Sequence, residues 1–80
     1  MNVTVRKIAS VSCSAEEWGL RDRALANHLN LIIEDVFNKG GSRRSAELQT
    51  WKLMRAFVKS GAMETRPRKR LREILGVLYT

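Results

Sequence analysis

Eighty residues limit this chain to one domain, and a chain of this length buries a smaller fraction of its surface on folding than a domain of typical size. A hydrophobic content of 44%, with one proline and five glycines, excludes collagen-like and low-complexity proteins and predicts a globular fold. The formal net charge of +7 predicts an anionic partner.

The first predicted element is the N-terminal segment "MNVTVRKIASVSC". Val3 and Val5 alternate with polar residues, which predicts a short strand or an extended arm over residues 1–13. Because one strand forms no sheet by itself, this segment would pair with a second copy, lie along the helices or remain loose.

Residues 15–38 carry the clearest helical pattern. Ser14 and Glu17 have the spacing of a capping box, and Gly40 is a typical terminator. Apolar residues recur at spacings of three, four and seven, namely Trp18, Leu25, Leu29, Ile32 and Val36, flanked by Ile33 and Phe37. We expect one helix over residues 15–38, in which Gly19 weakens only the first turns. The opposite face is predicted to be solvated, and its polar residues are Arg23, Asn27, Asn30 and Glu34.

Residues 46–60 form the second predicted helix, with Ser45 as its N-cap and Gly61 as its stop. Its apolar residues cover a broader arc than one partner helix requires, and they are Ala46, Trp51, Leu53, Met54, Phe57 and Val58. The remaining arc carries a basic stripe bordered by Trp51, made of Lys52, Arg55 and Lys59.

Residues 66–78 form the third predicted helix. Pro67 is tolerated at a helix start, and four apolar residues fall on one face, namely Leu71, Ile74, Leu75 and Leu78. Gly76 costs about 1 kcal/mol relative to alanine, so the last turn is predicted to be the weakest.

The predicted fold is therefore all-α, a single small three-helix domain over residues 1–80 with a short N-terminal arm or strand. The second helix offers more apolar surface than one neighbour covers, and Leu20 and Leu31 lie off the apolar stripe of the first helix. These unpartnered surfaces predict a helical homodimer.

Residues for catalysis or metal binding are few. Cys13 is the only cysteine and His28 the only histidine, and neither stands in a motif for nucleophilic catalysis or metal ligation. We therefore expect no enzyme activity, no metal and no cofactor. The sequence lacks an apolar run long enough for a membrane span or a secretory signal, which predicts an intracellular protein that is not secreted.

The basic residues are segregated along the chain. Residues 1–40 balance five basic residues with five acidic ones, whereas residues 41–80 hold ten basic residues against three acidic ones. Such asymmetry is typical of a protein that binds a polyanion. The ten basic residues of the second half are the candidate site: Arg43, Arg44, Lys52, Arg55, Lys59, Arg66, Arg68, Lys69, Arg70 and Arg72.

Several of these residues stand at the starts of predicted helices. Positive charge there opposes the helix dipole, so folding alone would favour acids, whereas a bound phosphate would favour the arginines. We expect a homodimeric DNA-binding regulator that contacts the phosphate backbone. Double-stranded RNA binding is one alternative, and an inhibitor or adaptor that docks on an acidic protein is another.

The two tryptophans could stack on nucleic-acid bases. Trp18 and Trp51 both lie beside apolar stripes, however, so packing in the core or at a dimer seam is the favoured interpretation.

Overall fold

The computed structural model describes residues 12–80. Four α-helices follow one another in this part of the chain: α1 (Ala15–Trp18), α2 (Arg23–Asn38), α3 (Arg43–Lys59) and α4 (Arg68–Leu78). Residues 12–80 contain no strand, and their one β-bridge joins Leu20 to Met63. The all-α prediction is confirmed. Residues 1–11, which make up most of the expected arm, lie outside the described residues.

The prediction of one continuous helix over residues 15–38 is wrong, because the helix stops at Gly19. Gly19 has the left-handed conformation, with φ +72°, and the Leu20 N–H closes the turn on the Ala15 carbonyl at 2.8 Å. Asp22 then caps α2 by accepting a hydrogen bond from the Ala24 N–H at 2.8 Å. Gly19 and Asp22 therefore separate a one-turn α1 from α2.

The other helix starts also differ from the expectation. The N-cap of α3 is Ser42, whose side chain accepts from the Ser45 N–H at 3.1 Å, so α3 begins three residues earlier than predicted. As a result, Arg43 and Arg44 belong to the first turn of α3. The fourth helix begins two residues later than predicted, after Pro67, and continues through Gly76 to Leu78.

The hydrophobic core forms around α3, which packs against both α2 and α4. The side chains of Trp18, Leu29, Met54 and Leu75 are fully buried. The broad apolar arc of α3 is thus covered within one protomer. Leu20, which the sequence pattern left without a partner, is also buried, because the break at Gly19 turns the chain back toward the core.

Asn30 joins the start of the described chain to α1 and α2. Its side chain donates to the Cys13 carbonyl at 2.7 Å, and its Oδ1 accepts from the Cys13 N–H at 3.1 Å and from Trp18 Nε1 at 2.9 Å. The prediction that Asn30 is merely solvated is therefore wrong. This contact satisfies the indole N–H of a fully buried tryptophan.

Candidate nucleic-acid interface

The buried side of α3 determines which of its basic residues face outward. Ala46, Thr50, Met54 and Phe57 are buried. The opposite arc spans about 80° at 100° per residue and carries four exposed basic residues. We call these residues the α3 basic face: Arg44, Lys52, Arg55 and Lys59.

Trp51 borders the α3 basic face and contacts the chain just before α4. The Cζ atom of Arg66 lies 4.0 Å from the centroid of the Trp51 ring, and that of Arg68 lies 5.3 Å from it. Both distances are within the range of cation–π interactions. We call these three residues the Trp51–arginine cluster. It brings the basic start of α4 against the helix that carries the α3 basic face.

Arg70 lies on the opposite flank of α4. Its Nη2 atom is 2.8 Å from Glu17 Oε2, and its Nη1 atom is 3.2 Å from Glu73 Oε2. The pKa of Glu17 is lowered, first by the backbone N–H of Ser14 and then by Arg70. Arg70 is thus engaged by two carboxylates of the protein itself, unlike Arg66 and Arg68.

Three further predicted site residues are exposed at helix starts or along α4. Lys69 and Arg72 line a surface depression of about 520 Å³ together with Arg68 and Glu73. Arg72 follows Arg68 by one helical turn, so these two side chains share a flank of α4. Arg43 is exposed at the start of α3, 100° around the helix from Arg44.

Carboxylates of the protein pair with few of these basic residues. Within residues 12–80, Arg70 is the only one of the ten candidate residues that forms an ion pair with a carboxylate. Glu16, Glu17 and Glu64 instead line a separate depression beside Trp18. Nine of the ten candidate residues therefore have no carboxylate partner among residues 12–80.

The two tryptophans, the cysteine and the histidine that the sequence singled out differ in how deeply they are buried. Trp18 belongs to the core, as expected, whereas Trp51 is only half-buried. Cys13 is buried, and burial raises the pKa of its thiol. His28 is exposed, with its ring 6.4 Å from that of Phe57.

No signal in the sequence associates Trp51 with Arg66 and Arg68. These residues are 15 and 17 positions apart, and no periodic signal links residues of different helices across a loop. The alternation of apolar and polar residues gave only the position of Trp51 at the border of the basic stripe.

In residues 12–80, no three His, Cys, Asp or Glu side chains come together as metal ligands. None of the helices in that range combines the length and the apolar character needed to cross a bilayer. No protein family, curated protein or solved structure matches the chain significantly.

Proposed function

We propose that this protein binds nucleic acid, with DNA as the first candidate, through contacts to the phosphate backbone. The observation that carries the proposal is the Trp51–arginine cluster. It joins two basic segments that are distant in sequence, so that Arg66 and Arg68 adjoin the helix with the α3 basic face. Arginine and lysine on a common surface bind phosphates of either strand without reading the bases.

The dimensions of the α3 basic face fit this proposal. Arg44 and Lys59 are 15 residues apart, which corresponds to about 22 Å along the helix. A duplex rises about 3.4 Å per base pair, so the face would cover roughly six base pairs. Six cations from this face and the Trp51–arginine cluster would make binding strongly dependent on salt, because each neutralised phosphate releases counterions.

The proposal includes a homodimeric regulator, in which two copies would add their contacts along one polyanion. Two of the surfaces that predicted a dimer are used inside one protomer, since Leu20 is buried and α3 packs on two helices. Leu31 remains, with 59% of its surface exposed on α2. Of the surfaces that predicted a dimer, Leu31 is therefore the one that the protomer leaves exposed, and we place the proposed dimer contact there.

Fluorescence anisotropy with labelled duplex DNA and duplex RNA of equal length, at about 50 and 200 mM salt, tests the proposal. We expect the double variants Arg66→Ala/Arg68→Ala and Lys52→Ala/Arg55→Ala each to weaken binding about ten-fold or more, because each removes two phosphate contacts. Arg23→Ala/Lys39→Ala is the matched control, since it removes the same charge from the two ends of α2, at its first residue and at its C-cap.

Each outcome of this experiment decides part of the proposal. Absence of binding to both duplexes near 150 mM salt would overturn it and leave an acidic protein partner as the alternative. Equal weakening by the α2 control would show that net charge, rather than the proposed surface, determines affinity. If the protein bound duplex RNA and not duplex DNA, RNA would replace DNA as the proposed ligand.

A further inference from the structure

We infer that Trp51 is a positioning residue that holds Arg66 and Arg68 for the phosphates of a double-stranded nucleic acid, and that it does not stack on bases. This inference rests on the proposed nucleic-acid binding and specifies the ligand class. Proteins that hold single strands offer open aromatic faces on which successive bases stack. Duplex readers that rely on the backbone need cations in fixed positions instead.

The Trp51 ring is already covered. The guanidinium of Arg66 lies over the ring with its Cζ 4.0 Å from the centroid, which is the position that a stacked base would need. Arg68 approaches the same ring at 5.3 Å, and the rest of the indole packs against the hydrophobic core. A base could stack on Trp51 only after displacing Arg66, and the cation that binds phosphate would be lost.

The other Phe, Trp and Tyr rings of the chain offer no platform either, and the one exposed imidazole, that of His28, stands edge to face on Phe57. The chain has five Phe, Trp and Tyr residues, and all five lie in the part of the chain that the structure describes. Trp18 and Phe57 are buried. Phe37 and Tyr79 pack edge to face with their centroids 5.3 Å apart, and both are half-buried against the core. The aromatic residues therefore favour a ligand whose bases remain paired and stacked.

Stacking leaves the guanidinium donors available to a phosphate. The N–H groups of a guanidinium point outward in its own plane, so a group that lies on an indole face can still form a bidentate contact at its edge. The segment is also fixed at the backbone, because Pro67 separates the two arginines and the Arg68 N–H donates to the Arg66 carbonyl at 2.9 Å. Preorganised side chains lose less entropy on binding.

The test compares a duplex with a single strand of the same sequence and length, for wild type, Trp51→Phe and Trp51→Leu. We expect wild type to prefer the duplex. Trp51→Phe keeps an aromatic face for the arginines and should retain affinity within about two-fold. Trp51→Leu keeps an apolar side chain against the core but lacks that face, and should weaken duplex binding about five-fold.

The salt dependence and a mutant cycle separate positioning from base stacking. Trp51→Leu should lower the slope of log affinity against log salt by up to about 1.8, which is the contribution of two phosphate contacts. In the Arg66→Ala/Arg68→Ala background, Trp51→Leu should have no further effect, because the residues through which Trp51 acts are gone.

Three results would overturn the inference while the proposed function stands: tighter binding to the single strand, quenching of Trp51 fluorescence by that strand, and a full effect of Trp51→Leu in the double-alanine background. Melting curves establish that each variant is folded. If Trp51→Leu does not fold, Trp51→Phe and the wild-type preference between duplex and single strand still decide the inference. If wild type bound neither the duplex nor the single strand, the proposed function itself would be overturned.

Discussion

Arg70 and Glu17 form an ion pair, with 2.8 Å between Nη2 and Oε2, that joins the first turn of α4 to α1 across 53 positions of the chain. Two residues earlier, Arg68 lies on the other flank of α4, against Trp51. The basic segment "RPRKRLR", residues 66–72, is therefore divided between an ion pair within the fold and the proposed surface for a ligand.

This division predicts opposite effects for two similar substitutions. Arg70→Ala removes the contacts to Glu17 and Glu73 and should lower the Tm while duplex affinity stays within about two-fold. Arg68→Ala should weaken affinity while the Tm changes little. Thermal melting and anisotropy on the same samples check both, and a large loss of affinity in Arg70→Ala would assign Arg70 to the interface.

Ionisation of Glu17 should make the stability of the fold depend on pH in the acid range. The pKa of Glu17 is lowered from the ordinary value of 4.5, mainly by the Ser14 N–H and then by Arg70. A carboxyl whose pKa is depressed in the folded state stabilises the fold above its ordinary pKa, and this stabilisation is lost as the pH falls through the lowered value.

Glu17→Gln removes this ionisation, so wild type should exceed Glu17→Gln in Tm at about pH 7, and the difference should shrink by about pH 3. Melting curves across that range measure the difference. Glu16→Gln, one position away and without an ion pair among residues 12–80, is the control. A difference that is constant with pH would contradict the assignment of this titration to Glu17.

Asn30 should be important for stability although it stands on a polar stripe of α2. Asn30→Ala removes three hydrogen bonds to Cys13 and Trp18 and leaves the buried indole N–H without its acceptor, which should cost about 2–4 kcal/mol. Asn27→Ala, on the exposed face, should change stability by less than about 0.5 kcal/mol. Urea denaturation measures both, and equal effects would show that the Asn30 contacts contribute little.

Two glycines should respond to alanine in opposite directions. A Cβ at Gly41 would lie 2.5 Å from Val36 Cγ1 and 2.9 Å from the Val36 carbonyl oxygen, so Gly41→Ala should destabilise the fold by about 1–3 kcal/mol. At Gly76, inside α4, a Cβ would meet no atom of the described residues within 4 Å, and alanine should stabilise the helix by up to about 1 kcal/mol. Scanning calorimetry of wild type, Gly41→Ala and Gly76→Ala measures both changes in stability.

Two exposed leucines distinguish the proposed interface from the proposed dimer. Leu48, 49% exposed, lies on α3 within the arc of the α3 basic face, so Leu48→Glu should weaken duplex binding several-fold through charge repulsion. Leu31→Glu on α2 should dissociate a dimer formed around Leu31, and the duplex affinity should then fall to that of a single protomer. Anisotropy and sedimentation measure the two effects, and a wild-type monomer in sedimentation would contradict the dimer.

The all-α class and the apolar faces of the helices could be predicted from the sequence, because helical periodicity and capping are local properties of the chain. The sequence also determined the concentration of positive charge in the second half. The break at Gly19 was missed since the apolar stripe continues across it, and only the packing of Leu20 into the core resolves that ambiguity.

Only the packing of the helices shows which basic residues pair with carboxylates and which stack on Trp51. Within "RPRKRLR" the arginines are chemically equivalent in sequence, yet Arg66 and Arg68 stack on Trp51 while Arg70 pairs with Glu17. The partners come from other helices, and the angle at which those helices pack determines the contacts. The spacing of residues in the sequence determines which face of its helix a side chain lies on. The partner that the side chain contacts depends on which helix packs beside that face.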